Sequence, residues 1–144
     1  TDSSVLVKWF KKSEEKEEFA MKLKDDVINE KIVLFCSEWV QLEIIRALTK
    51  ANYPQDKIRE TRKFLEDIES LGLIRFVKIF EVKKLSLDII HSLNLYASDA
   101  VVLATAIKNS VDLVTEDSHL LKKKVIEYAK KHGIKIVTLD GYYL

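Results

Sequence analysis

Apolar positions recur along this chain with two different periods, and their alternation outlines the elements. Phe19, Ala20, Leu23 and Val27 share one face at helical spacing, and Ser13 followed by Glu14 and Glu15 reads as the start of that helix. "KIVLFC", residues 31–36, is short, β-branched and aromatic, as a buried strand is. Ser37 is positioned to cap the next helix, which runs through "VQLEIIRAL", residues 40–48. There Val40, Ile44, Ala47 and Leu48 form a broad apolar face, extended by Leu42 and Ile45. Pro54 suits the first turn of the following helix, whose core face is Ile58, Leu65 and Ile68 and whose end is Gly72. "IRFVKIF" (74–80) predicts a second strand, and "VKKLSLDIIHSLNL" (82–95) and "ASDAVVLATAIKNS" (97–110) predict two helices. A strand in "VDLVT" (111–115), a helix over 118–131 stopped by Gly133, and a last strand in "IKIVTL" (134–139) complete the chain.

Strands and helices alternate throughout, often with two helices between strands. Apolar strands joined by helical crossovers predict an α/β fold with a parallel sheet covered on both faces. No linker, repeat or low-complexity stretch divides the chain, so residues 1–144 read as a single domain. At 47% hydrophobic, it is long enough to close one sizeable core. In such sheets functional groups collect beyond the carboxyl ends of the strands.

Charge narrows the classes of function. Charged residues make up 33% of the chain but nearly cancel, to a net +1, which excludes a wholesale polyanion binder and leaves only local basic patches. The single cysteine, Cys36, lies in an apolar run and reads as a buried inert thiol. His91, His119 and His132 have no partners at zinc-ligand spacing. No apolar run reaches membrane-spanning length and no signal-peptide pattern opens the chain, so the expected compartment is the cytoplasm, with no membrane partner.

Four acids fall at or just after the predicted strand ends. They are Asp2 in "DSSVLVKWF", Glu43 in "SEWVQLEIIRAL", Asp99 in "YASDAVVLATA" and Asp117 in "VTEDSHLL". Each has a bland alternative. Asp2 reads equally as an exposed terminal residue and Asp117 as an N-cap. Asp99 reads as a complement to a helix dipole. Glu43 reads as a surface partner of Arg46, worth ~0.2–0.5 kcal/mol. Converging together, however, four carboxylates would repel one another and resist ionisation. A hard divalent cation such as Mg²⁺ or Mn²⁺ removes that conflict, and can also activate water against a phosphodiester. No Gly-rich phosphate loop offers a competing chemistry.

The segments "DSSVLVKWF", "SEWVQLEIIRAL", "SDAVVLATA" and "LVTED" resemble, in order and over nearly the whole chain, the acidic motifs of PIN-domain ribonucleases, particularly the VapC-type toxins. The resemblance implies a three-layer α/β/α sandwich whose central parallel sheet has about five strands in the order 3-2-1-4-5. It also implies Mg²⁺- or Mn²⁺-dependent RNA cleavage that leaves a 5′-phosphate and a 3′-hydroxyl. Asp2, Glu43, Asp99 and Asp117 match the metal-binding catalytic carboxylates. Ser4 and Thr115 match supporting hydroxyl positions. Two features depart from the pattern. The first strand is cut almost to nothing, and Glu116 adjoins Asp117, either being a candidate fourth ligand, with the T-x-D spacing favouring Asp117.

Basic residues near these motifs are candidates for an RNA track, namely Lys8 after the first acid and Arg46 and Lys50 on the polar stripe of Glu43. The Lys122–Lys124 run reads rather as a solvated helix face, and Trp9 and Phe10 as core. By the same resemblance, the expected partners are an RNA substrate, a small antitoxin protein and a second copy in a homodimer. The function expected is an endoribonuclease toxin. The alternatives are a PIN domain that binds RNA or protein with little catalysis, and a housekeeping RNA-processing nuclease without an antitoxin.

Overall fold

The computed structural model describes residues 1–144. A short helix α1 (Ser3–Leu6) and a 3₁₀ turn (Val7–Trp9) lead to α2 (Glu17–Ile28) and strand β1 (Leu34–Ser37). Helices α3 (Trp39–Lys50) and α4 (Gln55–Ser70) precede β2 (Ile74–Val77), which is followed by α5 (Ile79–Leu93) and α6 (Ala97–Lys108). Strand β3 (Leu113–Val114), α7 (Lys123–Lys131), β4 (Ile136–Val137) and α8 (Leu139–Tyr143) close the chain.

The periodicity sets which faces are buried. Ala20, Leu23 and Val27 of α2, Val40, Ile44 and Leu48 of α3, and Leu65 and Ile68 of α4 all lie in one hydrophobic core. Burying side chains of this kind contributes roughly 1.5–3 kcal/mol each. Helix α6 is buried continuously from Asp99 to Ala106 and packs against α5 and β1. No single helix is long and apolar enough to cross a membrane. Gly72 and Gly133 end α4 and α7 with φ of +73° and +81°, left-handed values that a residue with a Cβ adopts only at a steric cost.

The alternation of strands and helices is present and all strand pairing is parallel, so the fold is α/β. The expected sheet of about five strands is not formed. Instead β1 pairs with β2, and β3 with β4, as two separate two-stranded sheets. Between them lies Thr1. Its backbone nitrogen donates to the Phe35 carbonyl of β1 at 3.1 Å, and its hydroxyl donates to the Val114 carbonyl of β3 at 2.8 Å. One residue ties the two sheets together but is too short to form a hydrogen-bonded ladder with either.

Several boundaries also differ from the sequence pattern, among them the strand expected over 74–80, which stops at Val77 because Ile79 and Phe80 open α5. The second helix starts at Glu17, because Ser13 and Lys16 adopt positive φ in the preceding loop. The helix expected over 118–131 starts at Lys123, because the amides of Leu120 and Leu121 turn back to the Asp117 carbonyl.

Candidate active site

Val5 and Leu6 are fully buried and anchor α1, which fixes Asp2, Ser3 and Ser4 at the rim of the core. Asp2 is 4% exposed. One carboxylate oxygen accepts from the Ser4 hydroxyl at 2.6 Å and the other from Thr115 at 2.5 Å. Burial pushes the Asp2 carboxyl above its ordinary range; these hydroxyls oppose that shift, and Asp117 adds to it. Thr115, fully buried just after β3, also accepts from the amide of Asp117 at 3.0 Å. The Ser4 hydroxyl accepts from the amide of Glu116 at 2.9 Å. The supporting hydroxyls of Ser4 and Thr115 therefore join the first and last acidic segments, more than a hundred residues apart in sequence.

Glu43 projects from α3 beside the buried Ile44. Its carboxylate accepts from the Ser3 hydroxyl at 2.7 Å. It takes part in none of the ion pairs, so the surface pairing with Arg46 is absent. Asp117 accepts from the amide of His119 at 2.7 Å, a turn that holds the carboxylate beside its own backbone.

Asp99 differs from the other three. It sits in the first turn of α6 at 9% exposure, and its carboxylate accepts no side-chain or backbone hydrogen bond. Burial raises its pKa to about 6, followed by repulsion from Asp117 and then from Asp2 and Glu43, with His119 acting the other way. All four predicted acids thus meet in one electrostatic neighbourhood, and Asp99 is the member whose carboxylate accepts no hydrogen bond.

Glu116 faces elsewhere. It accepts from the Lys16 ammonium at 2.8 Å and, through its other oxygen, from the amide of Leu139 at 2.7 Å. Lys16 also donates to Asp140 at 2.8 Å. Those bonds raise the Lys16 pKa and draw Asp140 down to about 2. This group clamps the loop before α2, the end of β3 and α8 to one another. Of the two adjacent acids, Asp117 is the one that joins Asp2 and Asp99.

The basic residues divide. Lys8 is buried, and its ammonium donates to the Glu15 carbonyl at 2.8 Å, so it offers nothing to a backbone on the solvent side. Arg46 and Lys50 are exposed on α3. Cys36 is fully buried, and that burial pushes its thiol up to about 11, which is the inert behaviour expected of it.

The donor set fits a divalent cation in its chemistry, being built of carboxylate and hydroxyl oxygens with no thiolate or imidazole. It is not pre-assembled as a chelate. No three His, Cys, Asp or Glu side chains converge closely enough to hold one ion together. Ser3 engages Glu43, while Ser4 and Thr115 engage both oxygens of Asp2. Loading a cation would require those hydroxyls to yield or share their acceptors.

Neither curated proteins nor solved structures give a significant match to the chain. The PIN domain family model matches residues 1–126, a span that contains all four acids and both supporting hydroxyls. PIN domains are α/β folds and generally metal-dependent nucleases. By that match over most of its length, the chain belongs to the PIN-domain family.

Proposed function

We propose that this protein is a Mg²⁺- or Mn²⁺-dependent endoribonuclease, acting in the cytoplasm as the toxin of a toxin–antitoxin pair. The observation that carries the reading is Asp99, an acid without a hydrogen-bond donor, raised first by burial and then by the nearby Asp117, Asp2 and Glu43. A fold that only needed stability would gain from an amide or an apolar side chain there. A divalent cation, when bound, supplies Lewis acidity toward a phosphoryl oxygen and lowers the pKa of a water molecule. Asp2, Glu43, Asp99 and Asp117 are the residues that would hold it. Ser3, Ser4 and Thr115 orient the carboxylates of Glu43 and Asp2, and the His119 amide orients Asp117. Arg46 and Lys50 are the side chains for the RNA backbone on the α3 side.

An antitoxin partner is supported by a groove beside α3 in which apolar side chains alternate with charged ones, among them Arg62, Glu66, Glu69 and Lys78. Trp39, Leu42, Ile45, Phe76 and Ile79 line two adjoining cavities of about 390 and 460 Å³. Leu42 is 60% exposed there. For the homodimer, Phe80 and Leu87 offer exposed apolar surface on α5.

The test is incubation of the chain with single-stranded and structured RNAs, with Mn²⁺ or with EDTA. The reading predicts cleavage only with the cation, leaving 5′-phosphate ends. Cleavage that persists in EDTA would refute it. A second reading, a PIN domain that binds RNA or protein with little catalysis, is favoured by the absence of a pre-assembled chelate. It predicts RNA or partner binding with no cut product under any cation.

A further inference from the structure

Beside the acids lies a separate cavity of about 250 Å³, walled by Asn94, Leu95, Tyr96, His119, Lys122 and Lys124. Its position is tied to the active site through the chain. Tyr96 immediately precedes α6 and stands one helical turn before Asp99. His119 follows Asp117 by two residues, and its amide donates to the Asp117 carboxylate. The ledge is thus built onto two of the four acids.

Core packing does not account for Tyr96. The residue is 68% exposed, so much of its apolar surface stays in water. It meets the His119 imidazole edge to face, with centroids 5.3 Å apart and planes at 88°, a contact that steadies the tyrosine ring while leaving it open. Lys122 is exposed and takes part in none of the ion pairs, whereas Lys124 is held by the Leu93 carbonyl at 2.6 Å. An open aromatic face next to a free ammonium matches the two halves of a nucleotide, since the base stacks on the ring and the phosphate meets the cation. Bases in a duplex keep their faces covered by their neighbours, so the chemistry selects an unpaired nucleotide.

We propose that Tyr96 and His119, with Lys122, form a subsite for one unpaired nucleotide of single-stranded RNA, flanking the phosphate held at the acids. Only the placement of the scissile phosphate rests on the nuclease reading. The stacking subsite does not require cleavage.

The experiment uses the full chain in an Asp99→Asn background, which suppresses turnover, and a fluorescent single-stranded oligoribonucleotide followed by anisotropy. Adding Tyr96→Ala should weaken binding roughly fivefold to a hundredfold, the range for loss of one stacked base. Tyr96→Phe and Tyr96→Trp should retain it. A fully abasic oligomer of the same length should bind equally weakly with and without Tyr96→Ala. Equal RNA affinity of the Ala variant and its parent, failure of Phe to rescue, or equal affinity for duplex and single strand would each overturn the subsite. In the otherwise wild-type chain, Tyr96→Ala should raise KM and leave kcat and the Mn²⁺-induced rise in melting temperature unchanged. The two claims fail separately. Base-dependent binding without cleavage keeps the subsite and removes the nuclease, and cleavage indifferent to Tyr96 does the reverse.

Discussion

Replacing Asp99 with Asn should make the metal-free protein more stable, and the gain should depend on pH. The folded chain raises the Asp99 pKa from 3.8 to about 6. At about 1.4 kcal/mol per unit, that rise corresponds to at most about 3 kcal/mol. Water at the open side of the site screens the neighbouring acids, so about half of this, ~1.5 kcal/mol, is the expected effect. Below the unfolded value the acid is protonated in both states and contributes nothing. Between pH 3.8 and about 6 the unfolded chain releases the proton while the folded chain keeps it, so stability falls as pH rises. Above that window the penalty is complete. Asn cannot titrate and escapes it, while Asp2, shifted in the same direction, remains in both proteins. Urea unfolding in EDTA, followed by circular dichroism from pH 4 to pH 8, reads the difference directly. With a urea slope of ~1–3 kcal/mol per molar, the variant's midpoint should lie roughly 0.5–1.5 M higher at neutral pH and close to wild type at pH 4. Parallel stability curves for the two proteins, or an advantage that grows toward acid, would refute a carboxyl at Asp99 that burial and its acidic neighbours hold back from ionising.

Glu43→Gln should lower Mn²⁺-dependent RNA cleavage at least about a hundredfold in a time course, because it removes a charge from the cation site. Arg46→Met should leave melting and Mn²⁺ binding unchanged and weaken RNA affinity. Glu116→Ala leaves the Leu139 amide without its acceptor and Lys16 with Asp140 alone, so urea unfolding should show a loss of about 1–2 kcal/mol while Mn²⁺ binding persists. RNA binding through Arg46, Lys50 and Lys122 should weaken with salt at a log–log slope near −2, about −0.7 per contact, and Lys8→Met should not change that slope.

The element order was legible because the apolar strands and the helix faces carry unambiguous periods. "LFCS" and "IRFV" became paired strands, and Val40, Ile44 and Leu48 turned inward together. Sheet extent was not legible. "VDLVT" and "IKIVTL" look like full strands, yet only two residues of each pair, since a run of apolar residues records burial and not the length of a ladder. Leu120 and Leu121 read as helical for the same reason, though a turn around Asp117 buries Leu120 without a helix. The four acids were visible as an ordered set of motifs. Ser4 and Thr115, which hold Asp2, were visible in the same motifs, whereas the Ser3–Glu43 bond was not, because it joins positions far apart in sequence that no local pattern pairs. Lys8 looked like surface charge and is buried, since the carbonyl that receives it lies in an irregular loop. The Tyr96–His119 ledge was missed, although an aromatic three residues before one motif acid and a histidine two after another were a signal worth weighing.

Titration of Mn²⁺ into the metal-free protein by isothermal calorimetry, with Asp99→Asn as the comparison, asks whether the four acids bind a cation. The wild type should show one saturable binding event, accompanied by a higher melting temperature, and the variant at least tenfold weaker binding. Mass action puts that stabilisation at about 2.7 kcal/mol when the free cation reaches a hundred times its dissociation constant. Heats that do not distinguish the two proteins, with a melting temperature unmoved by millimolar Mn²⁺, would contradict it.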